Sequence, residues 1–152
     1  MRLDRHDRAL LRELQKDCQI TNQALADKVG LSASVCWRRV NALEKSGVIR
    51  RYSAIVDGPL TGLGFQAIVY VSLVRHETSR LKEFIAAVTQ REEVLECLAT
   101  TGDADYHLRV ICEDQAAYNQ LLEDFLFQLP GVAHIKTSLI LKEIKSQAYI
   151  PV

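Results

Sequence analysis

Apolar residues in the first third of the chain recur at helical spacing and predict three helices. The first is predicted over residues 5–17, where Leu10 and Leu14 share one face. Asp4 and Asp7 have the spacing of a capping box, in which each side chain accepts a backbone N–H at the start of the helix. The pattern indicates an amphipathic helix that packs one side against its neighbours.

Two more helices follow, separated by a short turn. Thr21 and Ser32 stand where threonine and serine side chains cap helix N-termini. Gly30 and Gly47 are predicted to end the second and third helices, as glycine commonly does, so the third helix is predicted over residues 33–46. A helix, a three-residue turn and a second helix form a helix-turn-helix, whose second helix usually enters the major groove of DNA.

The third helix is expected to turn its polar residues away from the core. Cys36, Val40 and Leu43 have helical spacing and predict the inward face. Arg38 and Asn41 then lie outward, and their side chains suit guanine and adenine edges, whereas nearby hydroxyl and lysine side chains suit phosphates. The candidate DNA-binding residues are Thr21, Asn22, Ser32, Ser34, Val35, Arg38, Arg39, Asn41, Lys45, Arg50 and Arg51.

These candidates have plainer alternatives. The outward polar residues would also suit a solvated helix face that binds nothing. Arg39 lies at the edge of the inward face, where it would either contact a phosphate or pair with a carboxylate such as Glu44. Trp37 is expected in the core rather than as a platform for a base.

The residues after the third helix change in character. Residues 48–56 (VIRRYSAIV) are rich in β-branched and aromatic side chains and predict a strand. Residues 57–64 (DGPLTGLG) contain three glycines and a proline, which indicates a hinge. The chain is therefore divided into a helix-turn-helix domain of winged-helix-like type at 1–52, a hinge strand and linker at 53–64, and a second domain at 65–152.

The second domain alternates strands and helices in the order β-α-β-β-α-β. Strands are predicted over residues 66–74, 94–100, 106–112 and 132–144, with helices at 79–90 and from Asp114 to Pro130. This order is that of a ferredoxin-like fold, an antiparallel sheet with two helices on one face. The predicted fold class is therefore α+β.

The first strand of this domain is apolar on both sides. Val69 and Val71 lie on one face, and Ile68 and Tyr70 lie on the other. Because a monomer rarely exposes a large apolar patch, a second copy is expected to cover the face without helices. A homodimer would also present two recognition helices to half-sites roughly 34 Å apart on one side of the duplex.

The formal net charge of zero conceals an asymmetry. Residues 1–52 contain 11 Lys and Arg and 6 Asp and Glu, a formal +5, whereas the rest contain 8 and 13, a formal −5. Only the first part therefore suits a polyanion. The N-terminus is too charged for a signal peptide and no apolar run approaches the roughly 18 residues of a membrane span, so a cytoplasmic protein without a membrane partner is expected.

The sequence shows no motif typical of a metal site, a disulfide framework or an enzyme active site. The four cysteines are scattered without a C-x-x-C pair, so neither a zinc site nor a disulfide framework is indicated. The chain lacks a phosphate-binding glycine loop, H-E-x-x-H and G-x-S-x-G, and its four histidines show no metal spacing. An enzyme is therefore not expected, and neither is a cofactor, a metal ion or a catalytic residue.

The sequence resembles the Lrp/AsnC, or feast/famine, family of transcriptional regulators. The matching pieces, in the family's order and spacing, are LDRHDRALLRELQKD, LADKVGLSASVCWRRVNALEKSGVIRRYSAIVD, TGDADYHLRV, and LPGV followed by TSLILKEIK. The resemblance implies a DNA-binding helix-turn-helix domain, a hinge strand and an effector-binding domain that forms dimers and, commonly, octamers or other higher assemblies. It also implies an amino-acid effector and a bacterial or archaeal, nucleoid-associated protein.

The resemblance places the effector at residues 100–107 (TTGDADYH), in a loop at a contact between dimers. There Gly102 would let backbone amides approach a carboxylate, and Asp103 and Asp105 would hold an ammonium group. The alternative is a plain hairpin turn in which the aspartates accept backbone N–H groups. Candidate effector residues, some carried over by position, are Thr101, Gly102, Asp103, Asp105, Tyr106, Thr137 and Ser138.

Two functions remain open from the sequence. The first is a sequence-specific DNA-binding transcriptional regulator whose assembly and DNA binding respond to a small effector. Changes in assembly or in DNA affinity on addition of an amino acid would distinguish it. The alternative is an architectural protein that wraps DNA without sensing a ligand. Ala104 and His107 depart from residues common in the family, so the identity of the effector stays open.

Overall fold

The structure is a computed structural model and describes residues 2–74, 78–146 and 149–152. The chain divides into two units. The helical unit comprises Met1–Ile55 together with Lys145–Val152, and the sheet unit comprises Val56–Ile144. The last eight residues thus group with the helical unit, whereas the sequence placed them in the second domain.

The C-terminal residues attach to the first helix of the helical unit through hydrogen bonds and apolar contact. Gln15 accepts from the Ile150 backbone N–H at 2.7 Å and donates to the Ile150 carbonyl at 3.1 Å. The Arg12 Nε donates to the Val152 carbonyl, and Val152 packs against the apolar core of this unit. The hydrogen bonds are with backbone groups, which explains why side-chain patterns in the sequence did not reveal them.

Three helices form the rest of the helical unit: α1 (Arg5–Lys16), α2 (Asn22–Val29) and α3 (Ala33–Lys45). The capping box of α1 is confirmed, because Asp4 accepts from the Asp7 backbone N–H and Asp7 accepts from the Asp4 backbone N–H. Thr21 and Ser32 cap α2 and α3 as predicted. Gly30 ends α2 with a φ of 68°. Local hydrogen bonds at the caps therefore set the helix boundaries.

The core of this unit joins the apolar faces of all three helices. Its buried members are Leu10, Leu11, Leu25, Ala26, Cys36 and Leu43, and Val40 packs against them. The inward face predicted for α3 is thus confirmed. The core position expected for Trp37 is wrong, because Cys36 takes the inward position and the next residue is rotated about 100° around the helix. The Trp37 side chain is 63% exposed.

The strand predicted over residues 48–56 does not form in the described chain. Residues 51–57 have no regular secondary structure, and Ile55 is 94% exposed. A strand requires a neighbour for its backbone N–H and C=O groups. Among the described residues no segment pairs with this one, so its β-branched sequence cannot produce a strand within one chain.

The sheet unit has the predicted β-α-β-β-α-β order. Its elements are β1 (Phe65–Leu73), α4 (Thr78–Gln90), β2 (Val94–Ala99), β3 (Tyr106–Cys112), α5 (Gln115–Asp124) and β4 (Val132–Leu139). All pairings are antiparallel, in the spatial order β2-β3-β1-β4. Two elements are shorter than predicted: β4 ends at Leu139, and α5 is followed by a short 3-10 turn at Leu126–Gln128.

Alternate residues of β1 divide the sheet into two faces. Ala67, Val69 and Val71 are fully buried against the helices, with Phe84 among their neighbours in the same core. Ile68 and Tyr70 point to the other face and are only half-buried. The two-sided apolar character predicted for this strand is therefore present, and its second face lacks a covering helix among the described residues.

Candidate functional site

The outward side of α3 presents cationic and amide side chains to solvent. Arg38 and Lys45 are exposed and Asn41 is half-buried. Within the part of the chain that the structure describes, these three side chains have neither a hydrogen bond nor an ion pair. Arg50 and Arg51, which follow α3, are exposed in the same way. Their donors are therefore available to an external acceptor.

The residues around the turn between α2 and α3 carry structural hydrogen bonds. Thr21 Oγ1 accepts from the Ala24 N–H at 3.2 Å, and Ser32 Oγ accepts from the Val35 N–H at 3.4 Å. Both hydroxyls accept in these bonds and keep their own proton. Ser32 Oγ also lies 3.3 Å from Ser34 Oγ.

Asn22, at the start of α2, uses its side chain to hold the turn. Its Nδ2 donates to the carbonyl of Ala33 at 2.9 Å, which ties the first residue of α2 to the first residue of α3. Asn22 is exposed, and Val35 is half-buried on the first turn of α3. The Asn22 side chain therefore links the start of α2 to the start of α3.

Arg39 is engaged inside the helical unit, and its partners are not the one anticipated from the sequence. Its Nη1 donates to Asp7 Oδ1 and to Asp4 Oδ2, both at 2.8 Å. The bond to Asp7, followed by that to Asp4, raises the pKa of Arg39. This side chain points toward α1 and pairs with carboxylates inside the unit, which is the second of the two alternatives predicted for it, with Asp7 and Asp4 as partners in place of Glu44.

Glu44, the partner suggested for Arg39, instead accepts a hydrogen bond from the hydroxyl of Tyr52 at 2.8 Å. Burial, followed by this hydrogen bond, raises the pKa of Tyr52 to about 12. The phenol therefore stays neutral and donates throughout the physiological range. The bond ties the chain after α3 back to the last turn of that helix.

The predicted effector loop connects β2 to β3 and is held to the end of β1. Thr100 N–H donates to the carbonyl of Asp105 at 3.0 Å, and Asp105 N–H donates to the carbonyl of Val71 at 3.0 Å. Gly102 lies in this loop with a φ of 124°, a conformation that favours glycine. The local geometry is therefore that of an ordered turn with an exposed tip.

The two aspartates of the loop have different surroundings. The Asp105 carboxylate accepts from the Leu73 backbone N–H at 2.7 Å, as the plain-turn alternative predicts. The Asp103 side chain is exposed and has no hydrogen bond among the described residues, whereas its backbone carbonyl accepts from Ser72 Oγ at 3.4 Å. Asp105 therefore holds the loop in place, and Asp103 is the carboxylate left available to a cation.

The remaining effector candidates do not join the loop in a single cluster. Thr137 pairs with Val69 on β4, and its Oγ1 lies 2.5 Å from the Tyr118 hydroxyl on the helix-covered face. Ser138 pairs with Ile68 and so lies on the opposite face. β1 separates both from the β2–β3 hairpin.

The two other loop-side candidates also differ from each other. Thr101 is exposed beside Gly102 at the tip of the loop. The ring of Tyr106 packs against Phe84, with 5.0 Å between ring centroids, so it belongs to the core. Of the candidates in this loop, Thr101, Gly102, Asp103 and Asp105 are exposed, and among the described residues Asp105 is the one whose carboxylate is bonded within the chain.

Metal sites and membrane-spanning helices are not found among the described residues. In residues 2–74, 78–146 and 149–152, no three His, Cys, Asp or Glu side chains are grouped as metal ligands. No described helix has both the length and the apolar composition that crossing a bilayer requires.

Comparison with known proteins accounts for both units. Residues 3–50 match a model for a winged helix-turn-helix DNA-binding domain, and residues 66–150 match the Lrp/AsnC ligand binding domain. The chain belongs to the Lrp/AsnC family. It is a DNA-binding transcriptional regulator with a ligand-binding domain, and not an enzyme, as the sequence predicted.

Relatives with names and structures extend over nearly the whole chain. The leucine-responsive regulatory protein of Salmonella typhimurium is 39% identical over 143 residues, which cover 94% of this chain and 87% of that protein. The crystal structure of a Neisseria meningitidis transcriptional regulator in complex with L-Met has a TM-score of 0.94 at 36% identity, covering 99% of this chain and 97% of that one. An AsnC family regulator from Agrobacterium tumefaciens has a TM-score of 0.93 at 34% identity, with coverage of 98% and 97%.

Proposed function

We propose that this regulator reads a partly symmetric DNA operator through α3 and that an amino acid bound in the sheet unit changes its assembly and DNA affinity. The observation that carries the first half is the outward face of α3. Arg38, Asn41 and Lys45 are solvent-accessible there without a partner among the described residues, while Arg39 is withdrawn into the helical unit. Free donors in a region of formal charge +5 suit a polyanion.

Different residues of this surface are assigned different roles. Arg38 and Asn41 are proposed to read base edges, because guanidinium and carboxamide groups make paired hydrogen bonds to guanine and adenine. Phosphate contacts are proposed for Ser34, Lys45, Arg50 and Arg51. Ser32 and Thr21 could also donate their hydroxyl protons to phosphates, and Asn22 its remaining amide proton. Val35 is proposed to contact a thymine methyl group. Phosphate contacts position the protein and base contacts give sequence preference.

Self-assembly is the second part of the proposal. The face of the sheet without helices carries Ile68 and Tyr70, and Leu98 is 55% exposed. We propose that a second copy covers this face, because apolar area of this kind is rarely left in water. The exposed segment at residues 51–57 would then gain a pairing partner that one chain does not offer.

The effector is proposed to be an amino acid bound near the loop at residues 100–105 when chains assemble. The Asp103 carboxylate offers a charge for the ammonium group, and the backbone at Gly102 is open to a carboxylate. A relative 36% identical to this chain has been crystallised with L-Met, which supports an amino acid as the class of ligand. Thr137, Ser138 and Tyr106 would contribute only if a neighbouring chain or a rearrangement completed the site.

Linkage gives the mechanism a quantitative form. An effector that binds one assembly state better shifts the assembly equilibrium by its difference in affinity, and DNA must change effector affinity reciprocally. A protein that wraps DNA without sensing a ligand would show neither effect. A regulator of the proposed kind would reside on the nucleoid of a bacterial or archaeal cell.

One screen tests both halves of the proposal. Each of the twenty amino acids is tested for a change in melting temperature, with the mass of every hit determined by light scattering, and hits are then titrated into the protein bound to a duplex selected from a random library. We expect at least one amino acid to change both the mass and the DNA affinity. Selective DNA binding without any response to amino acids would leave the architectural alternative and overturn the effector assignment.

A further inference from the structure

Trp37 is an exposed aromatic residue within a helix that otherwise separates apolar and polar sides. It is 63% exposed, although Cys36 beside it is fully buried. Tryptophan side chains are large, apolar over most of their surface and concentrated where proteins contact partners. An exposed indole on this helix therefore requires an explanation that the core of the helical unit does not provide.

The position of Trp37 along α3 aligns it with the residues at the helix start. It follows Ala33 by four residues and Ser34 by three, and precedes Asn41 by four. Residues three and four apart on a helix are neighbours on its surface. The indole thus lies one turn above the first two helical residues, whose counterparts in helix-turn-helix proteins contact base edges.

The surroundings of the indole favour a nucleic acid over an apolar protein surface. Arg38 is adjacent, and Lys45, Arg50 and Arg51 bring further exposed positive charge to the same region of the chain. Glu44, two turns further along α3 on this flank, is held by the Tyr52 hydroxyl. An aromatic side chain flanked by unpaired cations and the Asn41 carboxamide has the composition of a surface that meets phosphates and bases.

We propose that Trp37 packs its indole against a thymine methyl group in the major groove and so sets a preference for thymine at one position of each half-site. Apolar contact with the C5-methyl group is how proteins distinguish thymine in the major groove, since the methyl is the apolar feature there. The indole N–H is a donor without an acceptor lone pair, so it can at the same time donate to a phosphate or a base acceptor. This inference rests on the proposed function, in which α3 enters the groove.

The protein contains its own probe, because Trp37 is the only tryptophan in the chain. Full-length protein is mixed with a duplex that it has selected from a random library, and tryptophan fluorescence is quenched with acrylamide. We expect quenching to be efficient in the free protein at concentrations where it has assembled, and to fall when the duplex is added. Shielding before DNA is added would show that another copy of the chain covers the indole and would overturn the proposal.

Replacement of thymine by deoxyuridine tests the partner atom. Each thymine of the selected duplex is replaced in turn, which removes one methyl group and leaves base pairing intact. At one position per half-site we expect the affinity to fall about fourfold, the equivalent of one buried methyl-sized group. Trp37→Ala should abolish that difference, and Trp37→Leu, which keeps an apolar side chain, should retain part of it. A selected site without a preferred thymine, or equal affinity for every uracil variant, would overturn the proposal.

The failure of this inference can be separated from failure of the proposed function. If Arg38→Ala relaxes sequence preference while the uracil series has no effect, α3 still reads DNA and only the role of Trp37 is wrong. If neither Arg38→Ala nor Trp37→Ala changes DNA binding, α3 is not the reading helix and both proposals fail. The uracil series and the quenching measurement use wild-type protein, so they do not depend on a variant that folds.

Discussion

The guanidinium of Arg39 lies 2.8 Å from the carboxylate of Asp7 and joins α3 to α1. Asp7 is a buried charged residue, at 5% exposure, and it also accepts the N–H of Asp4 in the capping box. The same side chain therefore closes the start of α1 and pairs with a residue of α3. Of the two adjacent arginines on α3, Arg39 is engaged in this pair and Arg38 is exposed.

Arg39→Ala should lower the free energy of unfolding by about 2 kcal/mol, because it leaves the Asp7 carboxylate buried without its charged donor. Urea unfolding at neutral pH measures the loss. Arg38→Ala is the matched control, since it removes the neighbouring and exposed guanidinium, and its unfolding should be close to wild type. Equal stability of the two variants would contradict the structural role of Arg39.

The effect on DNA sequence preference should be the reverse of the effect on stability, with Arg38→Ala the more damaging substitution. Below its melting temperature, folded Arg39→Ala should keep the wild-type ratio of affinities for selected and random duplexes. Arg38→Ala should lose roughly 1 to 3 kcal/mol on the selected duplex and relax preference at one base position. If Arg38→Ala weakened both duplexes equally, Arg38 would be a phosphate contact and not a base contact.

Lys45→Ala should act on all DNA sequences alike. A lysine that contacts a phosphate releases counterions on binding, so its removal should reduce the slope of log affinity against log salt by about one. Titrations of selected and random duplexes at several salt concentrations measure this slope. A loss confined to the selected duplex would show that Lys45 reads a base.

Acid should weaken the helical unit in part through Asp4. The N–H of Asp7 hydrogen-bonds to this carboxylate and is the main factor that lowers its pKa from 3.8, with a further contribution from Arg39. Because the folded value is below the unfolded one, the stabilisation is present above pH 3.8 and is lost as the pH falls through the lower folded value. Stability measured against pH should show this decline at the acid end.

Asp4→Asn isolates the charge, because asparagine still caps a helix through its side-chain oxygen. Wild type should be the more stable protein at neutral pH, and the difference in urea midpoint should shrink as the pH falls below 3.8. A difference that is independent of pH would mean that the carboxylate charge does not contribute.

The caps show where sequence alone was sufficient. The sequence predicts Asp4, Thr21 and Ser32 as helix caps, and in the structure each accepts backbone N–H groups two or three residues further along the chain. Such contacts depend on local spacing and need no knowledge of the tertiary fold. The alternation along β1 was equally informative, because successive side chains of a strand point to opposite faces of the sheet and every second one therefore enters the core.

The errors concern partners that are distant in sequence. The acidic partners of Arg39 are on α1, and the nearer Glu44 bonds Tyr52 instead. Residues 48–56 have the composition of a strand, yet within the described chain they have no strand to pair with. The effector role of Thr137 stays a prediction, and in one chain its hydroxyl lies beside that of Tyr118. In each case the tertiary arrangement determines which groups are in contact, and a local sequence pattern carries no information about that arrangement.

The two loop aspartates should respond differently to loss of charge. Asp103→Asn should abolish the effect of any amino acid found in the screen on DNA affinity, because it removes the exposed carboxylate proposed to hold the ammonium group. Asp105→Asn keeps an oxygen that can accept the Leu73 N–H, so the loop should stay in place and the effect should be at most weakened. If the response to the amino acid survived in both variants, the loop would not be the effector site.

The attachment of the C-terminal residues to α1 gives a prediction of its own. Gln15 both donates to and accepts from the backbone of Ile150, so Gln15→Ala removes two hydrogen bonds and should lower the free energy of unfolding by about 1 kcal/mol. Gln15→Glu keeps only the acceptor and should fall between alanine and wild type in urea unfolding. Gln23→Ala is the control, because that glutamine bonds only Asp27 on its own helix. Equal stability of the Gln15 and Gln23 variants would mean that the hydrogen bonds between Gln15 and Ile150 do not stabilise the helical unit, whereas a larger loss at Gln15 would show that they do.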